Sequence, residues 1–133
     1  MDQIDYLMAI QNTPIVTTHS DGHLDNFMYC EATGKLTMID LECMHPFPVA
    51  YDLACLFAMY ERPTHHIDKV HPRDKQAVWL IEYLNHLGHT GDGQKQLIED
   101  YLDSIEIMLP LAIIYILIMS IMLGEGQARE HNV

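Results

Sequence analysis

The chain of 133 residues is 49% hydrophobic and carries 19 acidic against 7 basic side chains, a formal net charge of −12. Enough apolar material is present to bury a core, which excludes a fully disordered chain. So negative a field repels phosphate backbones and excludes nucleic acid as a partner, while it favours cationic ligands, Mg²⁺ on clustered carboxylates, or plain solubility.

Residues 3–11 read as the end of a short helix leading into Asn12-Thr13-Pro14. The β-branched run Ile15-Val16-Thr17-Thr18 predicts a strand. His19 to Asn26 is polar, contains Gly22 and reads as a loop. Phe27–Cys30 is the next strand, Glu31–Lys35 a turn with Gly34 at its left-handed position, and Leu36–Ile39 the returning strand, ending at Asp40. Helical spacing follows over Val49–Tyr60, from Pro72 to a stop at Gly88, and over Gln94–Met108, where Leu97, Tyr101, Ile105 and Met108 share a face. A last helix is expected after Pro110, ending near Gly124.

The stretch from Ile107 to Leu123 is uncharged and reaches the lower limit for a membrane span. Pro110 near its start, the flanking Glu106 and Glu125, and the lack of a basic anchor favour a buried core helix. Cys30, Cys43 and Cys55 are odd in number and form no C-x-x-C, which argues against a disulfide framework or a zinc knuckle and for a reducing, cytoplasmic setting. Asp2 and Asp5 without a basic start argue against a secretory leader. His65, His66, Asp68 and His71 lie between Pro63 and Pro72 at a spacing that fits no helical metal site. Trp79 and Tyr83, four apart, read as core, and Ser20 lacks the G-x-S-x-G setting of a hydrolase nucleophile.

The segment that carries chemistry is His19-Ser20-Asp21-Gly22-His23-Leu24-Asp25-Asn26, which fits H-x-D-x-x-x-x-N, followed beyond the hairpin by Ile39-Asp40-Leu41-Glu42. Phosphoryl transfer needs a carboxylate beside the acceptor hydroxyl and hard oxygen ligands holding Mg²⁺ against the phosphates. One loop offers Asp21 to the acceptor and Asn26 to the metal, and the hairpin returns Asp40 to the same metal. The alternative is that Asp21, Asp25 and Asn26 merely cap and turn a surface loop.

The run HSDGHLDNFMYCEATGKLTMIDLECMHPFPVAYDLACLF resembles the H-[GN]-D-x-x-x-x-N … I-D-x-E … [YF]-D-[LI] pattern of choline/ethanolamine kinases and aminoglycoside phosphotransferases. HPRDKQAVWLIEYLNHLG is similar, more weakly, to a helix of the choline-kinase branch. The resemblance implies an ATP-dependent phosphotransferase acting on the hydroxyl of a small, cationic molecule, with Mg²⁺ as cofactor and ATP as donor. It implies Asp21 as catalytic carboxylate, Asn26 and Asp40 as metal ligands, and Glu42 near the second metal or the substrate. His19 and Asp52 would brace the loop. Where the choline-kinase branch carries two late tryptophans that cage an ammonium group, this chain has only Tyr115, the expected substrate contact.

The expected fold class is α+β: a mainly helical kinase-like C-lobe with a small β-hairpin carrying the catalytic and metal-binding loops, and with the N-lobe absent. It would form a single partial domain, with loop and hairpin at 15–48 and a helical subdomain at 49–125. No glycine-rich phosphate loop or strand lysine is found, since Gly88, Gly91 and Gly93 fall between helices. An N-terminal lobe is therefore an expected partner, and the chain alone is expected to be inactive. Two other classes are a non-catalytic remnant or binding module, and a single-span membrane protein using residues 107–123.

Overall fold

The structure, a computed structural model, describes residues 12–59 and 70–130. Two small antiparallel sheets precede three helices. Strand β1 (Ile15–Thr18) pairs with β4 (His45–Pro48), and β2 (Phe27–Cys30) pairs with β3 (Lys35–Met38). Helices α1 (Val49–Met59), α2 (Arg73–His86) and α3 (Gln94–Glu130) follow. The expected helix over 3–11, the end of the first long helix at Tyr60, and the loop at His65, His66 and Asp68 lie outside the described residues.

Strand β4 is an addition to the expected order. Two prolines in four residues conceal it, because proline cannot donate to a ladder. The register pairs Ile15 with Pro48 and Thr17 with Pro46. Antiparallel pairs alternate between bonded and non-bonded, so both prolines fall in the class where a missing N–H costs nothing. Val16–Phe47 and Thr18–His45 are left to carry the ladder, and Val49 N–H donates to Pro14 O at 3.0 Å where the chain turns into α1.

The core lies where α1 crosses α3. Ala50, Ala54, Cys55 and Phe57 meet Tyr101, Leu102, Ile105, Met108 and Ala112, and α2 adds Leu80 and Leu84. Small residues at 50 and 54 let the two helix axes approach. At the surface, Arg73 of α2 reaches Glu99, Asp103 and Glu106 of α3, at 2.9, 2.6 and 3.2 Å. Helix α2 ends in a Schellman turn: Gly88 takes φ +84°, its N–H donates to Asn85 O at 3.0 Å, and His89 N–H donates to Leu84 O at 2.9 Å.

Two helical expectations need correction. Pro110 was expected to separate two helices, but α3 runs through it. Packing explains the difference. Tyr101, Leu102, Ile105 and Met108 before the proline, and Ala112 after it, are all buried in the same core, so tertiary contact on both sides holds one axis against a local penalty. Pro110 and Glu106 are exposed, so water can serve the carbonyl that loses its donor. The apolar segment was also expected to be a buried core helix. Residues Gln94–Met119 are long and apolar enough to cross a membrane by length and composition, and only 28% of the most apolar window is buried. Leu111, Ile114, Leu117, Ile118 and Ile121 are exposed.

Candidate active site

The loop from His19 to Asn26 is fixed by α1. Asp52, in the first turn of that helix, accepts the backbone N–H of His19 through Oδ2 and that of Ser20 through Oδ1, both at 2.8 Å. Charge-assisted bonds of this kind are the strong ones. They hold Ser20 at φ +67°, a left-handed conformation that costs a side-chain-bearing residue about 1 kcal/mol. The H-[GN]-D pattern has glycine or asparagine here, the residues that tolerate that conformation best.

Serine has its own compensation. Its hydroxyl lies 2.9 Å from Thr18 Oγ1 and 3.2 Å from His45 Nδ1. Thr18 spends its proton on His45 O at 2.8 Å, so Ser20 donates to Thr18. His45 Nδ1 lies 2.9 Å from Cys43 O, which can only accept, so that nitrogen carries the proton. The result ties β1, the loop and β4 together through side chains.

His19 joins the loop to the hairpin. Its Nδ1 accepts the Asp21 N–H at 3.3 Å, so Nε2 carries the proton and donates to Ile39 O at 2.8 Å. Ile39 N–H in turn donates to Asn26 O at 2.9 Å. These two bonds bring the end of the hairpin, and Asp40 after it, beside the loop. Asp40 takes φ +60° and opens a single 3-10 turn, Leu41–Cys43.

Within the loop, Asn26 Nδ2 donates to Asp21 O at 2.9 Å and to Asp21 Oδ2 at 3.2 Å. The amide is therefore turned so that Oδ1 points away from Asp21. Asp21 and Asn26 are in direct contact, and Asp40 follows the residue bonded to Asn26. Glu42 is exposed on the 3-10 turn and Asp52 lies behind the loop. Among the described residues no three His, Cys, Asp or Glu side chains gather as a metal set. A cation would depend on Asn26 Oδ1, Asp40 and oxygens brought by a ligand, which suits Mg²⁺, an ion that takes few protein ligands and keeps phosphate and water.

A cavity of about 410 Å³ opens beside the loop, lined by Ser20, Cys43, Phe47, Tyr51, Ile114 and Tyr115 among others. Phe47 meets Tyr51 edge to face at 5.2 Å and His45 at 5.4 Å. Tyr115 places its hydroxyl 3.8 Å from Cys43 Sγ. Burial, with that thiol alongside, pushes the Tyr115 hydroxyl up to about 12. Burial raises the Tyr51 hydroxyl as well. Beneath the loop, Cys55 donates to Ser20 O at 3.9 Å, and burial pushes its thiol from 9.0 to about 12.

Sequence reasoning reached Tyr115 but not the other walls. Phe47 and Tyr51 depend on a strand hidden by prolines and on which face of α1 turns outward. Ser20, set aside as a nucleophile, is a structural hinge. His23 passed as a variable position of the motif, and its proximity to Asp21 was legible only in the turn His23 N–H to Asp21 O, 2.9 Å. Trp79 packs edge-on against Phe57 at 6.5 Å while remaining about half exposed, less buried than a core residue.

A family model described as choline/ethanolamine kinase matches residues 1–130. Among solved structures, an ethanolamine kinase from Plasmodium vivax superposes with a TM-score of 0.67 at 22% identity, over 82% of this chain and 29% of the other. The chain thus spans under a third of that relative's length. No curated protein matches the chain.

Proposed function

The chain belongs to the choline/ethanolamine kinase family, and from that premise we propose that it is the acceptor-side half of an ATP-dependent phosphotransferase acting on the hydroxyl of a small amino alcohol. The observation that carries this reading is the Asp21 carboxylate. Asn26 holds one of its oxygens at 3.2 Å, in a loop that also borders an aromatic-lined cavity through Ser20.

In this reading the amino alcohol enters the cavity ammonium-first. Phe47, Tyr51 and Tyr115 offer ring faces to the cation, an attraction of about 0.5–2 kcal/mol per well-placed ring. The hydroxyl then faces Asp21, whose free oxygen accepts its hydrogen bond and aligns it for in-line attack on the terminal phosphate. Asn26 and Asp40 would hold Mg²⁺, which when bound neutralises charge on the phosphates. Glu42, exposed on the 3-10 turn after Asp40, would serve as a ligand to a second ion or to the substrate. His19 and Asp52 hold the loop that presents Asp21.

The test mixes the 133-residue chain with a separately produced nucleotide-binding lobe of a family member and follows phosphorylation of ethanolamine and choline. Turnover that needs Mg²⁺ and falls about 10²-fold or more in Asp21→Asn is expected, since removal of one preorganised group costs that much. Turnover unaffected by Asp21→Asn would overturn the assignment.

A further inference from the structure

His23 sits between two carboxylates of its own loop. Nε2 lies 3.4 Å from Asp21 Oδ2, and Nδ1 lies 3.6 Å from Asp25 Oδ2. The ring is buried, with 9% of the residue exposed, whereas the Asp25 side chain is 77% exposed. The backbone on both sides is pinned: His23 N–H donates to Asp21 O at 2.9 Å, and Asn26 N–H donates to His23 O at 3.0 Å. Neither the family pattern, which leaves this position open, nor the roles given above use this side chain.

We infer that His23 is a positioning residue that, through Nε2, fixes the rotamer of the Asp21 carboxylate. This rests on the reading of Asp21 as the acceptor-facing carboxylate. The geometry is asymmetric. Asp21 Oδ2 faces two nitrogens, Asn26 Nδ2 at 3.2 Å and His23 Nε2 at 3.4 Å. Oδ1 has neither. A carboxylate oxygen can only accept, so a nitrogen held beside it contributes by offering its N–H. With Oδ2 approached from two directions, by a hydrogen bond from Asn26 and at ion-pair distance by His23, rotation about χ1 or χ2 is disfavoured and Oδ1 is left for the acceptor. Asn26 Nδ2 has two N–H groups, one for Asp21 O at 2.9 Å and one for Oδ2 at 3.2 Å, so it holds Oδ2 from one side only. Asp25 reaches the other nitrogen at 3.6 Å from a side chain 77% exposed, against 26% for Asp21, so solvent weakens its hold on the ring.

Two amides separate the ring's two ends. Glutamine at 23 places its N–H₂ near the position of Nε2, and asparagine places it near that of Nδ1. Positioning errors on this scale cost about 10- to 100-fold in rate. In the two-component assay, His23→Ala and His23→Asn are expected to lower kcat by that factor with KM for the amino alcohol within about twofold. His23→Gln is expected to recover most of the loss. Independently of turnover, three-bond couplings measured by NMR on the chain are expected to show one Asp21 χ1 rotamer in wild type and His23→Gln, and averaging in His23→Ala and His23→Asn. A single rotamer in all four proteins, or equal kinetics for the two amides, would overturn the inference. Absence of turnover in wild type would fall on the proposed activity instead, and the rotamer measurement would still decide the role of His23.

Discussion

The loop at 19–26 and the hairpin at 27–39 are consecutive in sequence and opposite in construction. The loop has no regular structure apart from one 3-10 turn, yet Thr18, His19, Ser20, His23 and Asn26 are all buried around it. The hairpin has a regular ladder, yet Met28, Tyr29 and Leu36 are each at least 60% exposed. Rigidity here follows bonding partners and not secondary structure. The loop is held by side chains reaching it from α1, β1 and β4, whereas the hairpin holds itself by backbone bonds and leans on the body through His19 and Asn26.

The largest disturbance of that contrast should come from alkali. Burial raises Cys55 from 9.0 to about 12 and Tyr101 and Tyr115 from 10.0 to about 12. The folded state therefore favours the neutral forms. That stability is complete below pH 9 and is lost as pH rises through 12. Cys55 lies directly under Ser20 O, so the loop should loosen with it. Thermal melting followed by circular dichroism should show a steep fall in Tm from about pH 9 upward, delayed in Cys55→Ala. A Tm that stays level to about pH 11 would contradict the burial argument.

Next in size is Asp52→Ala. It leaves the buried N–H groups of His19 and Ser20 without acceptors, a cost of about 3–6 kcal/mol for two bonds at about 1.5–3 each. Urea unfolding should show the loss, and hydrogen exchange should rise at those two amides while the β2–β3 ladder is unchanged. Equal exchange gains in the hairpin would mean that the two regions are not held separately.

The smallest effect belongs to the hairpin. Leu36→Thr removes an exposed apolar side chain from a strand and introduces a β-branched residue that suits one, so a change within about 0.5 kcal/mol is expected. A loss above about 1.5 kcal/mol in the same urea titration would show that the hairpin face is covered in the folded chain.

Residues that act locally were legible in the sequence. The β-branched run at 15–18, Gly34 at the turn and the Gly88 stop each reflect short-range chemistry, and the structure has elements there. The bracing role of Asp52 was read from the resemblance and not from local chemistry. Only the folded chain brings residues 19 and 52 together. Strand β4 and the continuity of α3 escaped for a shared reason. Proline argues locally against both elements, and in both it is overruled by position: a non-bonded register in β4, and an exposed point between two packed turns in α3.

The register of β4 also bears on how the molecules treat one another in a crowded solution. An unpaired strand edge is a template on which another chain can grow, and proline with its missing donor is a natural stopper. Pro46 and Pro48 make β4 a poor seed. Strands β2 and β3 carry no such stopper, and each is paired on one side only among the described residues. With Met28, Leu36 and Met38 facing outward, self-association of concentrated protein should start at the hairpin. A lysine at position 36 should slow it as followed by light scattering, whereas a change at Pro46 would be the way to open a second front.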